Sequence, residues 1–317
     1  MAGHEPRYLA GRAVARTSGG PVTDVTVVIP ARNRAGVLGK ALASVRCQSL
    51  QPAAVVVIDD GSDDDTGEVA RRFGVEVIAH EVPRGAAEAR NSGVRWATTR
   101  WVAFLDSDDE WTTDHLSTMM AHAEGNVLLT SVCLDTDGRA HGNTSGRLRP
   151  ISQAMLFFPQ NVVCTSTVVA DRSSVLEAGL FREIDRAEDL DLWVRLLAIG
   201  RGCAVSTATC RYFIDDGYAT PEMFARNRAG ANHVVELFEN EPWMTWWLRE
   251  CVRGQALWDA FRHHQHRGDV VAAARALTAV ATRPWLVGPI VATIWDRRRG
   301  WTFVADRFAE RLPSESP

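Results

Sequence analysis

The sequence predicts an α/β fold, with a mostly parallel central sheet flanked by helices and an α-helical C-terminal extension. Three observations carry that expectation. Short apolar runs (VTVVIP, AAVVVIDD, VEVIAH and WVAFLD) alternate with segments whose apolar residues recur at helical spacing. Several of the runs close on Gly, Pro or carboxylates, the punctuation of strand ends. From about Gly217 the pattern turns helical and tryptophan-rich.

Residues 1–24 are small, polar and Gly/Pro-punctuated, which predicts a flexible leader. VTVVIP is a β-branched strand that Pro30 is expected to end. Val37, Leu38, Ala41, Leu42 and Val45 lie on one face of a first helix. AAVVVIDDGS is a second strand, DTGEVARRFG a helix stopped by Gly74, and VEVIAH a third strand. GAAEARNSGVRWATT is a further helix and WVAFLDSDDEW the fourth strand. Beyond it, NVLLTSVCLD, VVCTSTVVA and CAVSTATCRYFI read as strands, SSVLEAGLF and AEDLDLWVRLLAIG as helices. Such alternation implies right-handed crossovers and a sheet covered on both faces.

Composition narrows the class. Of 317 residues, 46% are hydrophobic and 23% charged, as in a globular protein with a full core. A formal charge of -4 gives no global signal for nucleic acid or an anionic membrane, so no nucleic-acid partner is expected. Lys40 is the only lysine, so nearly every cation is an arginine. Cys47, Cys133, Cys164, Cys203, Cys210 and Cys251 form no C-x-x-C, which predicts reduced thiols rather than a disulfide framework. The N-terminal residues lack the apolar core of a secretion signal, and no apolar stretch is long enough to span a bilayer. A cytoplasmic location is expected.

In open α/β sheets, ligands bind outside the carboxyl ends of the strands. Pro30-Ala31-Arg32-Asn33, Asp59-Asp60-Gly61-Ser62 and Asp106-Ser107-Asp108-Asp109 all fall at that edge. Carboxylates crowded as in FLDSDDEW repel one another unless a cation compensates them or the loop is well solvated. Rival sites fail on the residues. VVIPARNRAG lacks the G-x-G-x-x-G of a dinucleotide fold, and no G-x-x-x-x-G-K-[ST] phosphate loop occurs. A phospho-acceptor receiver needs a lysine on a later strand, whereas Lys40 precedes the aspartate pair.

Six blocks in order, VTVVIPARN, ALASVRCQS, VVVIDDGSDDDT, GAAEARNSGV, VAFLDSDDEW and AEDLDLWVRL, resemble a family 2 glycosyltransferase of the GT-A fold over residues 25–216. The resemblance implies a donor-binding half at 25–111, an acceptor half at 112–216 and a helical C-terminal extension at 217–317. It implies Mn²⁺ or Mg²⁺ at the D-x-D of Asp106-Ser107-Asp108, with Asp108 the first-choice ligand and Asp106 on the ribose or the metal. A hard cation there would neutralise charge on the leaving diphosphate. Asp109 and Glu110 read equally as site residues or surface charges.

By the same resemblance Asp60 accepts a hydrogen bond from a uracil or thymine ring, with Pro30, Arg32 and Asn33 as the wall beside it. Arg84, Arg90 and Asn91 fall on the donor side. Asp59 could instead cap its turn, Asp63, Asp64 and Asp65 suit a turn and helix start, and Asp191 is structural. The base that takes the acceptor's proton falls in the pair Glu188-Asp189, with Asp189 preferred and Glu188 second. Trp193 lines either the acceptor site or the core. Many relatives carry a Y-R-x-H-like segment after the last core strand. Here CRYFIDDGYAT lacks the histidine, and Asp215 or Asp216 is the substitute considered for a third metal ligand.

The expected activity is metal-dependent, inverting transfer of one sugar from a nucleoside diphosphate sugar, UDP-linked, to a hydroxyl on a glycan, lipid-linked precursor, protein or small molecule. Processive membrane synthases carry Q-x-x-R-W and transmembrane helices, which are missing here. Residues 285–295, tryptophan-flanked and followed by Arg297-Arg298-Arg299, fit either a packed helix, on the domain or a second subunit, or a peripheral contact at the inner membrane face. A non-catalytic nucleotide-sugar-binding protein and a nucleotidyltransferase on a related sheet are the alternatives.

Overall fold

The computed structural model describes residues 23–157, 163–213, 221–246, 248–250, 252 and 278. Strands β1 (Val25–Ala31), β2 (Ala54–Asp59), β3 (Glu76–Ala79) and β4 (Trp101–Phe104) alternate with helices α1 (Leu38–Arg46), α2 (Thr66–Arg72) and α3 (Ala86–Trp96). β5 (Glu110–Trp111), α4 (His115–Met120), β6 (Leu128–Leu134), β7 (Ala140–His141), β8 (Arg149–Ile151) and α5 (Gln153–Phe157) follow. The last described elements are β9 (Val169–Asp171), α6 (Arg172–Glu177), α7 (Glu188–Ile199), β10 (Gly202–Arg211) and α8 (Pro221–Leu237).

The ten strands of the described residues join one sheet, in the order β3-β2-β1-β4-β9-β6-β10-β5, with β7 on β6 and β8 on β10. The N-terminal quartet is parallel throughout. β1, β2 and β4 are largely apolar on both faces because helices cover both, while the edge strand β3 is partly exposed. Side-chain alternation divides the core. Val28, Val56, Ile58 and Phe104 meet α3, α5, α6, α7 and α8 on one face. Val27, Ile29, Val55 and Val57 meet α1, α2 and α4 on the other.

Three sequence expectations change. β1 runs through Pro30 to Ala31, because β4 pairs it only as far as Val28 and leaves the edge beyond without a partner for the missing N–H. The run VVCTSTVVA is mainly a 3₁₀ turn at Thr165–Thr167, and only Val169–Asp171 is strand. Finally, the sheet is parallel in its first half and mixed in its second, since β9 runs opposite to both neighbours. That reversal matters: an antiparallel strand brings its entry, here the 165–167 turn, beside the carboxyl end of β4.

His115 on α4 is buried, stacked on Trp111 with centroids 4.1 Å apart, and shares a 2.7 Å hydrogen bond through Nδ1 with Thr209 Oγ1. Burial lowers its pKa from 6.5 to about 3. As pH falls, the unfolded chain therefore binds this proton before the folded one. The stability due to neutral His115 is complete above about 6.5 and declines as pH drops toward 3. Between pH 7.5 and pH 5 the wild-type urea midpoint should drop relative to that of His115→Asn, whose side chain stays neutral at both, so the difference between the two isolates the His115 contribution.

Candidate functional site

Two loops at the carboxyl ends of β1 and β2 are joined to each other. Asn33 sits in the left-handed region at φ 53°, its N–H donates to Ser62 Oγ (3.0 Å), and its Oδ1 accepts from Asp63 N (2.9 Å). Arg34 N donates to Thr66 Oγ1 at 2.8 Å and Ala35 N to Asp64 Oδ2 at 3.1 Å. Asp59 caps its own turn by accepting from Ser62 N at 3.1 Å. Gly61, at φ 65°, is required because a Cβ there would come within 2.8 Å of Pro83 N.

Asp60 is 4% exposed and lies where three donors meet. Its Oδ1 accepts from Arg84 N (2.8 Å) and pairs with His80 Nδ1 (2.7 Å), while Oδ2 accepts from Gly85 N (2.8 Å). His80 Nε2 in turn pairs with Ser92 Oγ at 3.0 Å. The carboxylate is thus fixed in place by its own surroundings, with one lone pair of Oδ2 left over.

Arg90 on α3 joins the two halves of the site. Its guanidinium donates to Asp106 Oδ1 at 2.8 Å and to Glu188 Oε1 at 2.9 Å. It lies over the Phe181 ring, 5.6 Å from the centroid. Burial opposes its charge, but Asp106 and Glu188 outweigh burial and raise its pKa above the ordinary arginine value. Glu188 is shifted the other way for a carboxylate: burial first, then neighbouring Asp189, raises its pKa against the pull of Arg90.

One cavity of about 830 Å³ gathers much of this. Pro30, Arg32, Asp60, Arg84, Arg90, Asp106, Ser107, Asp108 and Glu188 line it. So do Arg34, Glu183, Ile184, Asp185, Arg186 and Arg226, which the sequence reading did not single out. The second arginine of ARNR was a usable signal for Arg34, and the histidine closing VEVIAH at the functional edge was one for His80. Nothing in the sequence ties Arg226 on α8 to residues 183–186.

Other expected residues lie elsewhere. Asn33 ties the two loops together and is not among the cavity-lining residues. Asn91 is buried and makes a two-pronged contact with the Phe181 backbone, donating to O at 2.8 Å and accepting from N at 2.9 Å. Trp193 is wholly buried, 6.1 Å from Phe104 and 5.8 Å from Phe181, and so is a core residue rather than an acceptor contact. Asp109 is no surface charge. It is fully buried, accepting from Ser166 Oγ and, at 3.0 Å, from Phe213 N, and burial with Asp106 and Asp108 nearby pushes its pKa up to about 8. Asp191, structural as expected, is buried against Arg182 and Arg195. Asp189 accepts from Thr165 Oγ1 at 2.8 Å and from Leu190 N at 2.7 Å, and only Glu188 of the pair lines the cavity. Asp215, Asp216 and residues 285–299 lie outside the described residues.

The carboxylates suit a divalent cation only as an open site. Asp106 already gives Oδ1 to Arg90, and Asp108 Oδ2 stands 3.8 Å from Arg34 Nε. Among the described residues no three His, Cys, Asp or Glu side chains are grouped to hold a metal. Mg²⁺ and similar hard cations are commonly held by one or two carboxylates plus substrate phosphates and water, and Asp106 and Asp108 fit that arrangement.

Known proteins place the chain in a family. Residues 26–183 match the description of Glycosyl transferase family 2. An Escherichia coli protein, UDP-Glc:alpha-D-GlcNAc-diphosphoundecaprenol beta-1,3-glucosyltransferase WfaP, is 31% identical over 182 residues, covering 56% of this chain and 71% of WfaP. The Mycobacterium tuberculosis pre-mycofactocin glycosyltransferase is 31% identical over 202 residues, which span 58% of this chain and 41% of that protein. Two solved structures share the fold: S. aureus TarS 1-349 with UDP-GlcNAc, and the Pyrobaculum calidifontis mannosyltransferase PcManGT with GDP-Man and Mn²⁺. The first has a TM-score of 0.57 at 15% identity over 87% of this chain and 92% of that one. The second has a TM-score of 0.55 at 18% identity over 92% of each. The chain belongs to the family 2 glycosyltransferases and has the GT-A fold; it is an enzyme of nucleotide-sugar glycosyl transfer. Among the described residues, no helix is long and apolar enough to cross a membrane.

The Asn91 contact yields a direct test. Asn91→Ala strands a buried N–H and a buried C=O of Phe181, which should cost about 2–4 kcal/mol of stability in urea unfolding. Nucleoside diphosphate affinity of the folded variant should stay within about twofold of wild type; a larger loss would return Asn91 to the donor site.

Proposed function

We propose that this enzyme transfers a single sugar from a uridine-linked nucleoside diphosphate sugar to a hydroxyl acceptor. The reaction inverts the anomeric carbon and uses Mn²⁺ or Mg²⁺ at Asp106 and Asp108. One observation supports this reading above the others: a single cavity is lined by Asp60, by the Asp106–Asp108 strand end and by Glu188. The name of the E. coli relative, a UDP-glucose-dependent transferase acting on a diphosphoundecaprenol-linked sugar, supports a uridine donor and makes a lipid-linked acceptor the first to try.

On the donor side, the remaining lone pair of Asp60 Oδ2 accepts the ring N–H of the base, while His80, Arg84 N and Gly85 N keep the carboxylate from turning. Arg32 and Arg84 stand in the cavity wall as partners for a diphosphate. Asp106 and Asp108 would hold the cation, which would neutralise charge growing on the departing diphosphate.

On the acceptor side Glu188 takes the hydroxyl proton. The acceptor oxygen bonds to the anomeric carbon as the bond from that carbon to the diphosphate oxygen breaks, and the electron pair leaves with the nucleoside diphosphate. Burial keeps Glu188 more basic than an ordinary glutamate, and Arg90 holds its carboxylate in the cavity. Asp189, the first choice from sequence, is engaged by Thr165 and its own helix, so the proposal shifts the base to Glu188.

Two measurements check this. In a thermal-shift panel of UDP, dTDP, GDP and CDP, UDP with Mn²⁺ or Mg²⁺ should raise the midpoint most. Asp108→Asn should remove the metal-dependent part of that shift. In turnover of UDP-glucose, Glu188→Gln should lower kcat by roughly 10²–10⁴ with donor KM unchanged. Asp189→Asn should cost far less, and the reverse order would move the base back to Asp189.

A further inference from the structure

The segment that carries Glu188 into the cavity is strained, and its support comes from outside the family match. Arg186 and Ala187 adopt φ of 68° and 69°, two successive non-glycine residues in the left-handed region directly ahead of α7. Such residues persist only where neighbouring structure determines them. Here the neighbour is α8, which lies past residue 183, where the family match ends.

Two contacts hold the segment. Gly230 of α8 is buried against the backbone of the segment: a Cβ there would lie 2.7 Å from the Asp185 carbonyl oxygen and closer still to that of Arg186. One turn earlier, Arg226 donates to both oxygens of Asp185, at 2.7 Å and 3.3 Å. Ile184, Asp185, Arg186, Glu188 and Arg226 all line the cavity, so this clamp is itself part of the cavity wall.

We infer that α8 is a working part of the catalytic centre: Gly230 and Arg226 are positioning residues that fix the 185–187 turn and thereby aim Glu188 at the acceptor. The inference rests on the assignment of Glu188 as base. It also accounts for a mid-helix glycine, which weakens a helix unless close backbone approach requires it.

The test uses the full chain with three variants: Gly230→Ala, Arg226→Gln and Arg226→Lys. UDP release from UDP-glucose gives kcat and donor KM, and hydrogen exchange follows the amides of Ile184 and Asp191, bonded to Arg182 O and Ala187 O. Gly230→Ala should lower kcat by roughly 10- to 100-fold, the loss that ångström-scale misplacement produces. Donor KM should hold, and the 184–191 amides should exchange faster while those of β1 and β2 do not. Arg226→Gln should give a smaller loss of the same kind, and Arg226→Lys, which can still pair with Asp185, should restore part of it.

If Gly230→Ala leaves kcat and exchange unchanged and raises the melting midpoint, the helix merely had room for a methyl and the inference is overturned. A parallel loss of kcat and donor affinity, with faster exchange throughout the sheet, overturns it as well, since that is general damage. Should Gly230→Ala not fold, the exposed Arg226–Asp185 pair decides, because its removal leaves the core intact. Failure of the functional reading looks different: wild type would bind no nucleoside diphosphate and release no UDP, while local exchange would still report on the clamp.

Discussion

The site depends on one buried guanidinium. Arg90 comes from the third helix, Asp106 from the end of the fourth strand and Glu188 from the start of the seventh helix, and the three are joined by two charge-assisted hydrogen bonds. Without the cation, two carboxylates would face each other in a partly desolvated cavity. Without the carboxylates, a buried guanidinium would be uncompensated. Each member is tolerable only because of the others. The packing beneath reflects this: Phe181 lies under Arg90, meets Phe104 edge-on at 5.3 Å and is held by Asn91, with Trp193 closing the cluster.

Around that centre the loops are organised by hydrogen bonds to backbone. Asp60 is fixed by two amides and a histidine, and Asp64 and Thr66 hold the first loop through Ala35 N and Arg34 N. Ser166 receives the Asp106 amide and donates to buried Asp109, so the entry to β9 steadies the D-x-D turn from below. These aspartates are neighbours in sequence but differ in kind. Asp106 and Asp108 remain in the cavity, whereas Asp109 is an interior anchor whose raised pKa follows from its burial. The like-charge crowding that FLDSDDEW announced is therefore relieved partly by Arg90 and Arg34, while burial with Asp106 and Asp108 nearby raises the pKa of Asp109.

The family match stops at residue 183, yet Ile184, Asp185, Arg186, Glu188 and Arg226 continue the cavity wall. A helix of the C-terminal extension thus contributes to the site, and the boundary drawn at residue 217 separates regions that pack against each other.

The sequence by itself determined the α/β alternation, the strand ends that face one crevice and the carboxylates at them. These properties are local: hydrophobic period, turn residues and strand polarity act over a few residues. It also carried the family resemblance, which rests on short contiguous blocks. Tertiary structure decided which of those polar residues look outward. Asn91, Asp109 and Trp193 sit within the same blocks as Arg90, Asp108 and Glu188, yet they turn into the core. A single residue's step around a helix or turn exchanges cavity for interior, and only packing against distant elements fixes that choice. The roles of His80, Ser166, Arg226 and Gly230 were likewise decided in three dimensions, because each acts through a contact across 20 or more residues of chain, from 20 for His80–Asp60 to 60 for Asp106–Ser166. No local pattern encodes a pairing of that separation; it exists once the sheet order has brought the two segments together.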